Sequence, residues 1–391
     1  MKDVFLLEGA RTPFGSFGGS LKDTGPLTLG VTAAKEAVRR SGVTAEEVDI
    51  SVIGNVIPSE KNAAYLSRHI ALHTGVPITS PALTVNRLCG SGLQSVISVA
   101  QSLTLDEGRV GLAGGTENMS MSPYALRKSR FGTGLKSPQM DDMLWETLTD
   151  EYCGCGMGIT AENLAKKYEI TRHEQDEYAH LSHQRAAKAV DGVFTQEITP
   201  VELKSKKGTK MIELDEHIRK DLTLENLEGL KPAFQAEGTV TAGNASGIND
   251  GAAAVILAGE DYVNQRQEKP LARIVSWSVA GVEPDIMGIG PVPAIRKALE
   301  RASLSIEDMD LVEVNEAFAS QYVAVEKELG LNREKTNVNG GAIALGHPVG
   351  ASGTRVLYSL ALELRNRKAK YGVASLCIGG GQGIAMILES L

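Results

Sequence analysis

One register shift constrains this chain more than any other feature: residues 34–55, AKEAVRRSGVTAEEVDISVIGN, lie without a gap over residues 295–316, IRKALERASLSIEDMDLVEVNE, 261 positions later. In both segments apolar residues fall at helical spacing (Ala34, Ala37, Val38; Ile295, Ala298, Leu299). Thr44 or Ser305 then stands where an N-cap belongs, acidic residues follow in the first turn, and a strand comes next. The same shift lays Cys89–Gly92 over Gly350–Gly353 and Gly111–Ala113 over Gly372–Ala374, so the repeat is a whole α/β half and not one helix. Two such halves bury their faces best with paired helices between two sheets, a duplicated α-β-α-β-α five-layer fold. The expected division is an N-terminal half at 1–117 completed by about 250–268, and a C-terminal half at 269–391. Residues 118–249 have no counterpart and read as an inserted loop domain, with long polar helical stretches such as Ile159–Ala189 and a hairpin, Val201–Lys204 with Lys210–Leu214, turning at Gly208. Gly251–Leu257 returns as a buried strand.

With 391 residues, 42% of them hydrophobic, the chain can build two or three domain-sized cores without staples. A formal charge of −8 and a pI near 5.5 argue against a nucleic-acid or anionic-membrane binder. Four cysteines, at 89, 153, 155 and 377, do not make a disulfide framework in a chain of this size, which points to a reducing compartment. The Val4–Leu7 apolar run is too short for a signal peptide, no stretch approaches the ~20 apolar residues of a membrane span, and the final Glu-Ser-Leu lacks the basic residue of a peroxisomal address. The expected location is the cytoplasm. Cys153-Gly-Cys155 lacks companions at zinc spacing, and neither a phosphate P-loop, a His-Glu-x-x-His nor a Gly-x-Ser-x-Gly is present, so no metal is expected.

Four positions carry the chemistry. Cys89, in Asn86-Arg-Leu-Cys-Gly-Ser-Gly92, precedes a run of helical periodicity, where a helix N-terminus favours the nucleophilic thiolate; the alternative is a buried structural cysteine. His347 lies in a loop too rich in glycine to be a packed element, and the repeat sets that loop beside Cys89, giving a route to a hydrogen bond; the alternative is a solvated histidine. Cys377 follows an apolar strand and precedes Ile378-Gly-Gly-Gly-Gln-Gly383, the kind of strand end whose exposed N–H groups bind an oxyanion, or else a turn with a buried thiol. Asn315 also ends a strand, as a site group or a helix cap.

Together, Asn86–Gly92, Gly243-Asn-Ala-Ser-Gly-Ile-Asn-Asp-Gly-Ala252, Met287-Gly-Ile-Gly-Pro291, Asn315-Glu-Ala-Phe318, Gly341–Gly353 and Cys377–Gly383 resemble the thiolase family, in family order from Arg11-Thr-Pro-Phe-Gly15 to the last strand. The resemblance implies an acyltransferase of fatty acid metabolism, of the acetyl-CoA C-acetyltransferase or 3-ketoacyl-CoA thiolase type. It would run a ping-pong Claisen condensation or the reverse thiolysis, with coenzyme A thioesters as substrates and no permanently bound cofactor. It further implies Cys89 as nucleophile, His347 as the group that helps deprotonate it, and Cys377 as the thiol base that removes the α-proton of the second acetyl-CoA. One oxyanion hole would come from His347 with a water held by Asn315, the other from the N–H groups of Cys89 and Gly379. By the same resemblance Ser246 lies along pantetheine, Leu148, Phe234, Met287, Ala317 and Phe318 line the channel, and Arg219 reaches the nucleotide end. The chain departs from the short-chain pattern in one place: Gly156, in Cys155-Gly-Met-Gly158, stands where those enzymes carry a histidine, which leaves room for a bulkier 3-oxoacyl chain. A homodimer or homotetramer is implied, with Ser120–Lys136 as a contact segment between subunits.

Two alternatives share the fold: a ketoacyl synthase, which Asn315 and the second thiol at 377 disfavour, and a non-catalytic thiolase-like subunit, which the intact reactive set disfavours. A dehydrogenase lacks its Gly-x-Gly-x-x-Gly after the first strand.

Overall fold

The duplicated register reappears as duplicated topology in the computed structural model, which describes residues 2–135, 137–206, 208–266 and 269–391. Lys136 at the end of the contact segment, Lys207 in the hairpin and Glu268 at the expected boundary between halves lie outside the described residues. The first half is built on strands β1 (Val4–Arg11), β2 (Ile50–Gly54), β3 (Ala82–Val85), β4 (Val110–Asn118) and β5 (Asn249–Gly259), ordered β3-β2-β4-β5-β1. The second is built on β6 (Ala272–Gly281), β7 (Leu311–Val314), β8 (Tyr371–Ile378) and β9 (Gln382–Ser390), ordered β7-β8-β9-β6. Pairing matches strand for strand: β2 with β4 and β7 with β8 are parallel, while β4-β5-β1 and β8-β9-β6 are antiparallel. The halves are not wholly separate sheets, as the repeat alone suggested. Edge strands β1 and β6 meet through Phe5↔Arg273 and Leu6↔Ala272, so one path of strands crosses the molecule.

The longer helices are α1 (Pro26–Ser41), α2 (Leu66–Thr74), α3 (Ser91–Thr104), α4 (Met157–Lys167), α5 (Arg172–Ala189), α6 (Pro291–Ala302), α7 (Ala319–Leu329) and α8 (Val349–Arg367). The repeat's helices α1 and α6 cover the outer faces of the two halves, against β1, β4 and β5 and against β6, β8 and β9. Between the halves lie α3 and α8, touching strands of both, which completes the five layers. The glycines of the repeated Cys89–Gly92 and Gly350–Gly353 blocks explain how these two helices come so close. A Cβ on Gly92 would sit 2.6 Å from the Thr354 nitrogen, and one on Gly353 would sit 2.3 Å from the Leu93 nitrogen. Even alanine there would overpack the centre, at a typical cost of about 1–3 kcal/mol.

Residues 118–249 leave between β4 and β5, the place that a tight turn through Gly380 and Gly381, both at φ near +78°, occupies between β8 and β9. The expected continuous helical stretch is two helices: the chain leaves α4 at Tyr168, and Thr171 starts α5 with a capping box to Glu174. These helices share the core of the second half through Leu164, Ala165, Tyr178 and Ala179, with the Tyr178 ring stacked on Tyr322 at 3.9 Å. The hairpin Val201–Ser205 with Gly208–Ile212 lends Val201 and Ile212 to the core of the first.

Candidate active site

The chain leaves β3 and turns through Asn86–Gly90 before α3 begins, and the turn is pinned from several sides. Asn86 Oδ1 accepts from the Leu88 N–H at 2.9 Å, Ser91 Oγ donates to the Leu88 carbonyl at 2.7 Å and accepts from the Arg87 N–H at 2.8 Å. This web holds Leu88 at φ +46°, a left-handed conformation that a branched side chain adopts only when its surroundings impose it. The result is a half-buried Cys89 presented ahead of the helix. Burial pushes its thiol up to about 11, against the backbone N–H groups of Gly379 and of Cys89 itself, which aim at the sulfur and pull the other way; the charge of nearby Glu117 adds to the rise. Desolvation thus opposes the pull toward thiolate that the helix N-terminus was expected to exert. Alkylation of Cys89 by iodoacetamide should then climb about tenfold per pH unit from pH 6 to 9. A plateau near pH 7 in the inactivation rate would contradict this.

His347 is held by the loop between the short helix Ala342–Leu345 and α8. Its N–H donates to Asn249 Oδ1 at 3.0 Å, and Glu117 Oε2 accepts from the Gly350 N–H at 3.0 Å and from the Val56 N–H at 3.0 Å, so the first and second halves share this anchor. The ring Nδ1 lies 2.6 Å from Ser352 Oγ, whose own proton goes to the Pro348 carbonyl at 2.9 Å. Ser352 must then accept, which puts the imidazole proton on Nδ1 and leaves the Nε2 lone pair free. Nε2 has no hydrogen-bond partner among the described residues, so the anticipated hydrogen bond to Cys89 is not made in this state. Burial, with Arg355 nearby, depresses the imidazole to about 3, and it rests neutral. A neutral, unpaired Nε2 is a base waiting for a proton.

Cys377, fully buried at the end of β8, packs with Met287 and Ala317. Burial raises its thiol well above the usual range, and the charge of Cys89 raises it further, which places the two sulfurs within electrostatic reach. Asn315 is 1% exposed, yet neither its Oδ1 nor its Nδ2 has a partner among the described residues. Its side chain therefore makes no helix-capping hydrogen bond, and both amide atoms are available to another group. Its neighbour Glu316 takes the structural part: its oxygens accept from Tyr178 (2.7 Å), Ser182 (2.7 Å), Asn337 (3.1 Å) and the Ile343 N–H (3.2 Å), tying α5 and the His347 loop to the end of β7.

A cavity of about 500 Å³ opens onto these groups. Cys89 and His347 line it, and so do Leu148, Gly156, Arg219, Phe234, Ser246, Met287, Ala317 and Phe318, every binding position expected from sequence. Cys377, Asn315 and Gly379 are not among its lining residues. Phe234 and Phe318 meet edge to face at 6.2 Å. Sequence reasoning missed Trp145, Met157 and His217 in the wall. Met157 stood beside the Gly156 departure and was there to be found, whereas His217 lies in a charged stretch with no periodic or motif signal. Burial lowers His217 to about 4 and His183 behind it to about 3, and His183 Nδ1 accepts the Arg219 N–H at 3.2 Å. Arg219 thus stands beside two imidazoles that burial disfavours in the charged form.

Whole-chain likeness decides the family. The thiolase N-terminal domain family matches residues 4–261, and the thiolase C-terminal domain family matches residues 268–390. The chain belongs to the thiolase family. Among thiolases it is 54% identical to the human mitochondrial 3-ketoacyl-CoA thiolase over 392 residues, covering 100% of this chain and 99% of that protein. It is 47% identical to a beta-ketothiolase of Cupriavidus necator, covering 100% of each. The crystal structure of the human mitochondrial enzyme in complex with CoA matches with a TM-score of 0.97 at 52% identity, covering 100% of this chain and 98% of that one. That of the Bacillus anthracis acetyl-CoA acetyltransferase matches equally, at 0.97 and 48%, covering 100% and 99%. The thiolase fold and acyltransferase class expected from sequence are thereby established. The mammalian relatives are named as mitochondrial proteins, which the cytoplasmic expectation did not anticipate. Among the described residues no helix is long and apolar enough to cross a membrane.

Proposed function

We propose that this thiolase cleaves 3-oxoacyl-CoA with free CoA, and runs the reverse Claisen condensation, through an acyl-Cys89 intermediate. The observation that carries the reading is the Cys89 sulfur and the unpaired His347 Nε2 lining one apolar cavity, with the buried Cys377 sulfur within electrostatic reach of Cys89. In thiolysis His347 Nε2 takes the Cys89 proton as the sulfur attacks the 3-oxo carbon. The C2–C3 bond breaks and Cys377 gives its proton to the departing acetyl-CoA enolate; CoA thiol then takes the acyl group from Cys89, its proton restoring the Cys377 thiol while His347 returns the first proton to the Cys89 sulfur. The N–H groups of Cys89 and Gly379 form one oxyanion site, and Asn315, through a water, with His347 forms the other. One well-placed donor contributes about 3 kcal/mol. Coenzyme A lies along Ser246, Phe234, Leu148, Met287, Ala317 and Phe318, with Arg219 toward its nucleotide end. Loss of 3-oxoacyl absorbance on adding CoA tests the reading; no turnover of either acetoacetyl-CoA or a longer 3-oxoacyl-CoA would overturn it.

Gly156 sets the chain-length preference. A Cβ there meets only the Leu148 carbonyl, at 3.7 Å, so a side chain would project into open cavity. Gly156→His should lower kcat/KM for a longer 3-oxoacyl-CoA about tenfold relative to acetoacetyl-CoA. An unchanged ratio would remove Gly156 from the acyl site.

The chain assembles as a homodimer or homotetramer in the cytoplasm. Tyr124, Leu126, Phe131 and Leu135 are exposed apolar side chains close together in sequence, and a second copy would cover them. Light scattering that returned the mass of a monomer would refute the assembly.

A further inference from the structure

Cys153 and Cys155 take no part in the reaction described above, yet their sulfurs lie within 3.2 Å of each other. They lie on the turn of a small hairpin in which Thr149 pairs with Gly156 and Asp150 with Cys155. The turn is fixed by the Gly154 N–H donating to the Asp150 carbonyl at 2.9 Å, by the Tyr152 N–H donating to Asp150 Oδ1 at 2.9 Å, and by Gly154 at φ +69°. It brings the two sulfurs to 3.2 Å, with Cys155 S–H donating to Cys153 Sγ. Both side chains are half-buried, and Tyr152 and Gly154 between and beside them are exposed, so a small reagent reaches the pair from solvent. No third metal-binding side chain joins them among the described residues, which removes a metal centre as the explanation.

We propose that Cys153 and Cys155 form a dithiol modification site that reacts with low-molecular-weight disulfides such as oxidised glutathione and closes to an intra-turn disulfide. Closure needs the sulfurs to approach from 3.2 Å to the roughly 2.05 Å of a covalent S–S bond, a movement a turn flanking glycine accommodates. The exchange balances in two steps. One thiolate attacks the reagent's S–S bond and expels a glutathione thiolate, which takes a proton; the second cysteine then displaces the second glutathione from the mixed disulfide. Two cysteine thiols are oxidised, and one glutathione disulfide is reduced to two glutathione thiols. Either thiol can open the exchange, and its neighbour at 3.2 Å resolves it. The neighbour at 3.2 Å makes the second step intramolecular, which favours the closed disulfide over two separate adducts.

The test reads the site directly in the full-length protein, independently of turnover. After incubation with oxidised glutathione and quenching with N-ethylmaleimide, the tryptic peptide 137–166, which contains both cysteines and neither catalytic one, is weighed by mass spectrometry. The expected product has lost both alkylatable thiols and is lighter by two hydrogens than the reduced, unalkylated peptide. Dithiothreitol restores the thiols, and Cys153→Ser does not form that product. A peptide that keeps two maleimides across the glutathione series, or carries two separate glutathiones, would overturn the proposal.

Discussion

Cys89→Ala should lower kcat for thiolysis by about 10⁴-fold or more while leaving the fold and CoA binding intact. The size follows from what is lost. Without the sulfur there is no acyl-enzyme, so the reaction can no longer be divided into two acyl transfers through a covalent carrier. The fold survives because Cys89 sits in a turn held by Asn86, Arg87, Leu88 and Ser91 through contacts that do not involve its side chain. CoA should still bind, because Ser246, Phe234, Phe318 and Arg219 line the cavity irrespective of residue 89. Steady-state thiolysis of acetoacetyl-CoA, beside calorimetric binding of CoA, separates the two effects. A variant retaining a tenth or more of the wild-type rate would remove Cys89 as the nucleophile.

Most of this architecture was legible because the repeat is a physical requirement. Gly92 and Gly353 come at the same repeat position because α3 and α8 leave no room for a Cβ at either, so the blocks that announce the duplication also make the central contact. The binding positions were legible for a different reason: Ser246, Met287, Ala317 and Phe318 lay inside motifs carried by the resemblance, and Leu148, Phe234 and Arg219 came from the resemblance without a motif of their own, whereas His217 and Trp145 had neither. What the sequence could not reveal depends on packing between distant segments. The junction of β1 and β6 rests on two residue pairs with no pattern of their own. The break between α4 and α5 had a local signal in Thr171 and Glu174, but continuous helical periodicity on both sides concealed it. Cys89 is a case of another kind. Position at a helix start argued for a thiolate, and only the enclosing residues reveal the burial that pushes the thiol the other way, up to about 11.

The same burial gives the second sulfur its part. Cys377 is enclosed at the end of β8, and burial favours the protonated form of its thiol. A group loaded with its proton in the resting state is suited to give that proton to the enolate left when the C2–C3 bond breaks. Acyl transfer between CoA and Cys89 makes no such demand, because it needs only the Cys89 sulfur and the His347 Nε2. Cys377→Ser should therefore lower thiolysis of acetoacetyl-CoA by about 10²–10⁴-fold, since a serine hydroxyl is a far weaker acid at nearly the same place. Exchange of labelled CoA into an acyl-CoA, the half-reaction through acyl-Cys89, should remain within about tenfold of wild type. Measuring both rates on one preparation distinguishes the cases. Equal loss in the two would make Cys377 a packing partner of Met287 and Ala317 that merely supports the nucleophile, and selective loss of cleavage would assign it the proton at the α-carbon.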